Sequence, residues 1–251
     1  MLVCSEHQST KKDVTWYRGW TASIPTRKIE EIAKQDGDFI TSVSSFGAVS
    51  PQGARFVMAV GKGQLDLCPF DGSKSHRLKI PKGSPFHPAW SADGRKLVFE
   101  LGRNGPGTCI FDVEEDKAEV VGEKIEFPAF TLSGNSIFGL GDSKDPRQSD
   151  LIRLDLSTAK VSRLVLDVGY EPPAPSPDGK RIAIARWRTE EIVIVGLDGK
   201  DETAVAKGES PAWSPDGTRL AYERADRIFV LDLKSGVERE LGEGSHPSWS
   251  R

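Results

Sequence analysis

PAWSPDGTRLAYE, residues 211–223, decides the fold, because the chain repeats it. HPAWSADGRKLVFE stands at 87–100 and PPAPSPDGKRIAIA at 172–185. Aligned on Ser214, the copies place Ser50, Ser91, Thr131, Ser176, Ser214 and Ser250 in register. Their spacings are 41, 40, 45, 38 and 36 residues. A period near 40 marks a repeat architecture, in which each unit buries its apolar face only against its neighbours.

Each period reads alike. A short segment ends in the serine or threonine, and a turn follows. Then come a strand such as KLVFE or RLAYE, an alternating strand such as RIFVLDL or EIVIVGL, and a polar strand such as VERELGE. Period-two alternation bounded by Gly, Asp and Ser turns predicts strands, and no 3.6-residue pattern competes. Four strands per period of about 40 residues read as a propeller blade.

The ends supply one more set. HPSWSR (246–251) provides an innermost strand, and MLVCSE, DVTWYRGW and TRKIEEIAK provide three partners. The expected fold is all-β, a single domain over 1–251. It is a six-bladed β-propeller of four-stranded antiparallel blades, with the ring closed by the C-terminal strand joining the N-terminal blade. Closure would hide exposed sheet edges. The expected bounds are 246–251 plus 1–44 (blade 1), 45–85 (blade 2), 86–125 (blade 3), 126–170 (blade 4), 171–208 (blade 5) and 209–245 (blade 6).

The Asp-Gly of the phrase reads as a turn rather than a chemical site. Pro presets φ for a type I turn, and Gly takes the left-handed position after it. Gly53, Gly94, Gly134, Gly179 and Gly217 hold in all five copies, whereas the residue before them is Gln52, Asp93, Ser133, Asp178 or Asp216. The aromatic before the serine (Trp90, Phe130, Trp213 and Trp249, against Val49 and Pro175) reads as a wedge between blades.

PAWSPDGTRLAYE, continued by IFVLDLKSG, resembles the repeat of TolB-type propellers, a WD-repeat-like family. The resemblance covers nearly the whole chain and is strongest at 87–100 and 172–251. Similar repeats accompany prolyl-oligopeptidase-like and tricorn-type peptidases and extend bacterial sensors and kinases. The α/β domain of TolB has no counterpart in this sequence. The resemblance implies a soluble bacterial propeller serving as a protein-interaction scaffold; a propeller by itself hosts many functions.

Composition narrows the partners. The chain has 251 residues, 28% of them charged, and a net charge of −3 with both signs interspersed. No basic block tracks phosphates, so nucleic acid is not expected. No apolar run reaches the roughly 18 residues of a membrane span, and no signal peptide is evident. The compartment reads as cytoplasmic for a complete chain, or periplasmic or extracellular if a leader has been removed. Cys4, Cys68 and Cys109 form no C-x-x-C pair and read as small apolar residues. A monomer is expected.

Binding is expected at the channel mouth, where the chain enters each innermost strand. Four residues before the aligned serine stand Phe46, His87, Phe127, Pro172, Ser210 and His246, and one residue earlier stand Phe86, Glu126, Glu171 and Glu209. With Tyr170 they suggest a mouth acidic on one side and aromatic with histidines on the other, suited to a basic or N-terminal peptide. The longer loops at 6–13, 102–107 and 141–150 add Lys11, Lys12, Arg103, Lys144 and Arg147.

No G-x-S-x-G, H-E-x-x-H, P-loop or kinase motif occurs. No enzyme, catalytic residue, cofactor or metal is expected. One alternative is a small-ligand or carbohydrate binder, or a metal-dependent lyase. A resemblance to oligogalacturonate-lyase-like propellers would put a metal between His87 and His246. A third reading is a sensory extension of a larger protein.

Overall fold

The computed structural model describes residues 47–60, 63–69, 71, 73–102, 105–145 and 147–249, and the backbone of strands at 2–9, 15–23 and 28–35. Every described element is a strand or a turn. The strands form antiparallel sheets of four, with consecutive strands paired.

Five sheets are continuous in the chain, and they keep the blade numbers of the sequence repeats. Blade 2 holds Gly47–Val49, Arg55–Val60, Gln64–Pro69 and His76–Arg77. Blade 3 holds Phe86–Trp90, Lys96–Glu100, Thr108–Asp112 and Lys117–Val120. Blade 4 holds Glu126–Phe130, Ser136–Asp142, Ser149–Asp155 and Val161–Val168. Blade 5 holds Ala174–Pro175, Arg181–Arg186, Glu191–Gly196 and Thr203–Lys207. Blade 6 holds Glu209–Trp213, Arg219–Arg224, Arg227–Asp232 and Glu238–Glu243.

The expected six-bladed ring is corrected: the propeller has five blades. The remaining four-stranded sheet joins Ser248–Trp249 to Leu2–Ser9, Thr15–Ser23 and Lys28–Gln35. It is a composite of both ends; among the described residues, Leu2 pairs with Trp249 and Val3 with Ser248. Unlike the other five, it is not continuous in the chain.

The chain divides into two compact units, 42–173 and 1–41 with 174–251. Within the first, alternation along each strand builds a core on both faces of blade 3. Leu97, Phe99 and Phe111 pack with Val57, Leu65 and Leu67 of blade 2. Val98, between Leu97 and Phe99, packs with Ile125, Phe130, Ile137 and Ile152 of blade 4. Successive strand side chains point to opposite faces, so one strand serves two cores. Within the second unit, Leu220 and Tyr222 join Ala183, Ile192 and Ile194 of blade 5, while Ala221 packs on the opposite side with Trp249.

The repeated phrase forms the turn read from it. The five glycines have φ from 66° to 71°. Gly217 N–H donates to Ser214 O at 2.8 Å, and Ser214 N–H to Arg219 O at 2.9 Å. The Ser214 hydroxyl donates to Asp216 at 2.5 Å, and Asp216 accepts the Thr218 N–H at 3.0 Å. These bonds, the serine hydroxyl's first, hold the Asp216 carboxyl down at about 2.

The aromatic wedges also form. The indole N–H of Trp90 donates to Ala48 O at 3.0 Å, that of Trp213 to Ala174 O at 2.9 Å, and that of Trp249 to Ala212 O at 3.0 Å. Each acceptor lies on the preceding blade. An arginine from that blade covers each ring: Arg55 over Trp90 at 5.4 Å, Arg181 over Trp213 at 4.8 Å and Arg219 over Trp249 at 5.1 Å.

Cys68 and Cys109 carry free thiols. Cys109 lies in the core, where burial pushes its thiol up to about 12. The side chain of Cys4 lies outside the described residues.

Candidate functional site at the channel mouth

The mouth position has its own backbone geometry. His87, Phe127, Ser210 and His246, each four residues before the aligned serine or threonine, have φ of 48°, 51°, 51° and 48°. Each is followed by a proline. Left-handed φ is strained for residues with a Cβ, and it persists where surrounding structure holds it. Here the holder is a bulge repeated in three blades. Phe86 pairs with Glu100 but Ala89 with Val98, Glu126 with Leu140 but Ala129 with Phe138, and Glu209 with Glu223 but Ala212 with Ala221. In each case the first strand carries one extra residue, and such bulges re-aim side chains. Pro172 takes this position in blade 5; a proline ring fixes φ near −65° and forbids the left-handed geometry. Blade 5 also has an innermost strand of only two residues, Ala174–Pro175.

In the unit at 42–173, the structure gathers Phe86, His87 and Phe127. The rings of His87 and Phe127 lie 3.9 Å apart between centroids, and Phe86 lies 6.2 Å from His87. The His87 Nδ1 bonds the carboxylate of Glu100. Glu126, which precedes Phe127 in the chain, is half-buried with Lys124 at 3.8 Å. Tyr170 is exposed and Glu171 half-buried. In the other unit, Glu209 is exposed, Ser210 is buried, and the His246 N–H donates to Glu223 at 3.0 Å. Phe46 lies outside the described residues, as do Lys11, Lys12 and Arg103. His87 and His246 belong to different units. No group of three or more His, Cys, Asp or Glu gathers for a metal among the described residues.

The long loop at 141–150 is anchored at its base. The Arg163 guanidinium donates to Asp142 O at 2.6 Å and pairs with the buried carboxylate of Asp150. Arg147 folds back on Asp145 at 3.1 Å, and Lys144 is exposed.

Sequence reading missed Glu100 and Glu223. Both are buried, at 8% and 6% exposure, where an unpaired carboxylate would be costly. Both end a copy of the phrase, nine residues after the aligned serine, where other copies have Ala59, Leu140 and Ala185. An acid at an otherwise apolar position was the available signal. Trp187, 65% exposed at a hairpin tip, was also missed. Its loop is short and carries no turn signature that distinguishes it.

Comparisons with known proteins agree on the fold. No family model matches. TolB from Acinetobacter baumannii superposes with a TM-score of 0.76 at 16% identity, over 99% of this chain and 66% of that one, just under two thirds of its length. A structure described as a TolB from Agrobacterium tumefaciens gives 0.72 at 18% identity, over 90% of both chains. A chain of a nidogen/laminin complex gives 0.72 at 9% identity, over 98% of this chain and 97% of that one. An uncharacterized protein of Agrobacterium fabrum is 24% identical over 219 residues, 76% of this chain and 73% of its own. The chain has the fold of TolB-like β-propellers.

Proposed function

We propose that the chain is a non-enzymatic interaction module that holds a peptide or loop of a partner protein on its mouth face. The repeated bulge carries this reading. The repeat fixes the backbone of the mouth position in the same left-handed form, with φ near 50°, while the residue changes from His87 to Phe127 to Ser210 to His246. A fixed frame presenting variable side chains is how rigid scaffolds support recognition. Glu126 and Glu171 with Phe86 and Phe127 in one unit, and Glu209 in the other, suit a basic segment with apolar character. Likeness to TolB supports the propeller frame and leaves the partner to these residues.

The test is affinity capture by the wild-type chain and by a chain carrying Glu171→Lys with Glu209→Lys, read by quantitative mass spectrometry. The double swap should lower recovery of specific partners at least several-fold, through like-charge repulsion and lost steering. Equal recovery by both chains would remove the mouth as the site.

A further inference from the structure

The outermost strand of blade 6, Glu238–Glu243, buries none of its side chains. Its one leucine, Leu241, is 40% exposed, and Val237 just before the strand is 63% exposed. A bulge, with Ile228 paired to Gly242 and Phe229 to Glu240, leaves Leu241 without an opposite residue. The outermost strands of three other blades do bring apolar side chains inward: Ala118 and Val120 in blade 3, Val165 and Val168 in blade 4, Val205 and Ala206 in blade 5. The strand beneath it in blade 6 is of opposite character, because Arg227–Asp232 buries Ile228, Phe229, Val230 and Leu231.

Charged groups hold the outer strand in place. The Glu238 carboxylate accepts the hydroxyl of buried Tyr222 and two bonds from Arg224, at 3.1 and 2.5 Å. A forked pair of this kind is the stronger form of ion pair. The Arg224 guanidinium also lies 4.0 Å from the Phe229 ring centroid, so Glu238 fixes the cation that covers the middle strand. Further along, Arg227 donates to Glu240 at 2.8 Å and lies 3.8 Å from Glu243. The strand's own cation, Arg239, stands opposite Val230, on the other face from Glu238 and Glu240.

Apolar burial is the main force that keeps a strand on its sheet, and exposed ion pairs add little. An element with few buried contacts opens ahead of its neighbours. We propose that Glu238–Glu243 is a strap, locked at Glu238, that opens while the rest of blade 6 stays folded. Opening parts Glu238 from Tyr222 and Arg224 and leaves Arg227–Asp232 as an unpaired apolar edge.

Hydrogen exchange of the full chain, read by mass spectrometry on the amides that bond between strands, tests the strap. In the wild type, amides of 238–243 should exchange about tenfold or more faster than those of 203–207 in blade 5 and of 219–224 in blade 6. Glu238→Gln, which removes the charge and keeps the size, should speed them several-fold further, and Leu241→Ala should not. Unchanged exchange at 219–224 verifies that each variant keeps its blade. Wild-type protection at 238–243 equal to that at 219–224 would overturn the strap. Faster exchange in Leu241→Ala but not in Glu238→Gln would overturn the lock, because packing rather than charge would then hold the strand.

Discussion

Asp216 shows how a residue that looks chemical can be structural. Its carboxylate is consumed by the turn, accepting from the Ser214 hydroxyl and the Thr218 N–H and hydroxyl. Those bonds depress its folded value to about 2, below the unfolded value near ~4. A depressed carboxyl contributes stability above the unfolded value and loses it as pH falls through the folded value. Asp216→Asn removes that titration. Melting temperatures of wild type and Asp216→Asn should therefore differ most near neutral pH and converge as pH falls from about 4 toward about 2. A gap that stays constant over that range would mean the turn bonds do not depend on the charge. The same turn was legible in the sequence because glycine persists while the residue before it varies, and a left-handed turn position favours glycine.

Between elements, the link from blade to blade is a bolt of three parts: an indole, a backbone carbonyl and an arginine. The sequence carries its trace. Five residues after the aligned serine stand Arg55, Lys96, Ser136, Arg181 and Arg219, and the aromatic position of the next copy holds Trp90, Phe130, Pro175, Trp213 and Trp249. Arginine occurs where the next copy has tryptophan and not elsewhere, as expected if guanidinium and indole face are selected together. A double-mutant cycle on Arg181 and Trp213 measures the bolt by chemical denaturation. Trp213→Ala should cost about 3–5 kcal/mol, and the coupling to Arg181→Ala should be about 0.5–1 kcal/mol. Additive effects would reduce the contact to coincidence. The wedge was legible from its recurrence. The arginine was not, because it stands on a different copy from the ring it covers.

For the whole molecule, the repeat made the blades legible and the ends did not. Five copies run on in sequence, and each forms a blade. The sheet at the ends is assembled from two distant parts of the chain, where Leu2 pairs with Trp249 and Val3 with Ser248, and no continuous copy of the repeat spans it. The mouth was half legible. Its positions follow from the repeat, so His87, Phe127, Ser210 and His246 could be named. Their shared left-handed backbone could not, because a residue before proline is ordinarily pushed to extended geometry. Glu100 and Glu223 stayed hidden for a related reason: in a strand ending KLVFE or RLAYE, a terminal acid reads as a solvated end, whereas here it is buried beside a histidine. On the proposed reading, partners meet the mouth rather than the turn end. Site-specific photocrosslinking compares two sites of nearly equal exposure in one unit: Tyr170 on the mouth-side link between blades, at 45%, and Leu132 in the phrase turn, at 46%. With a photoreactive phenylalanine at each site in turn, the account predicts a discrete protein adduct in native lysate from position 170 and none from 132. Adducts from 132 alone, or the same adducts at equal yield from both, would contradict it.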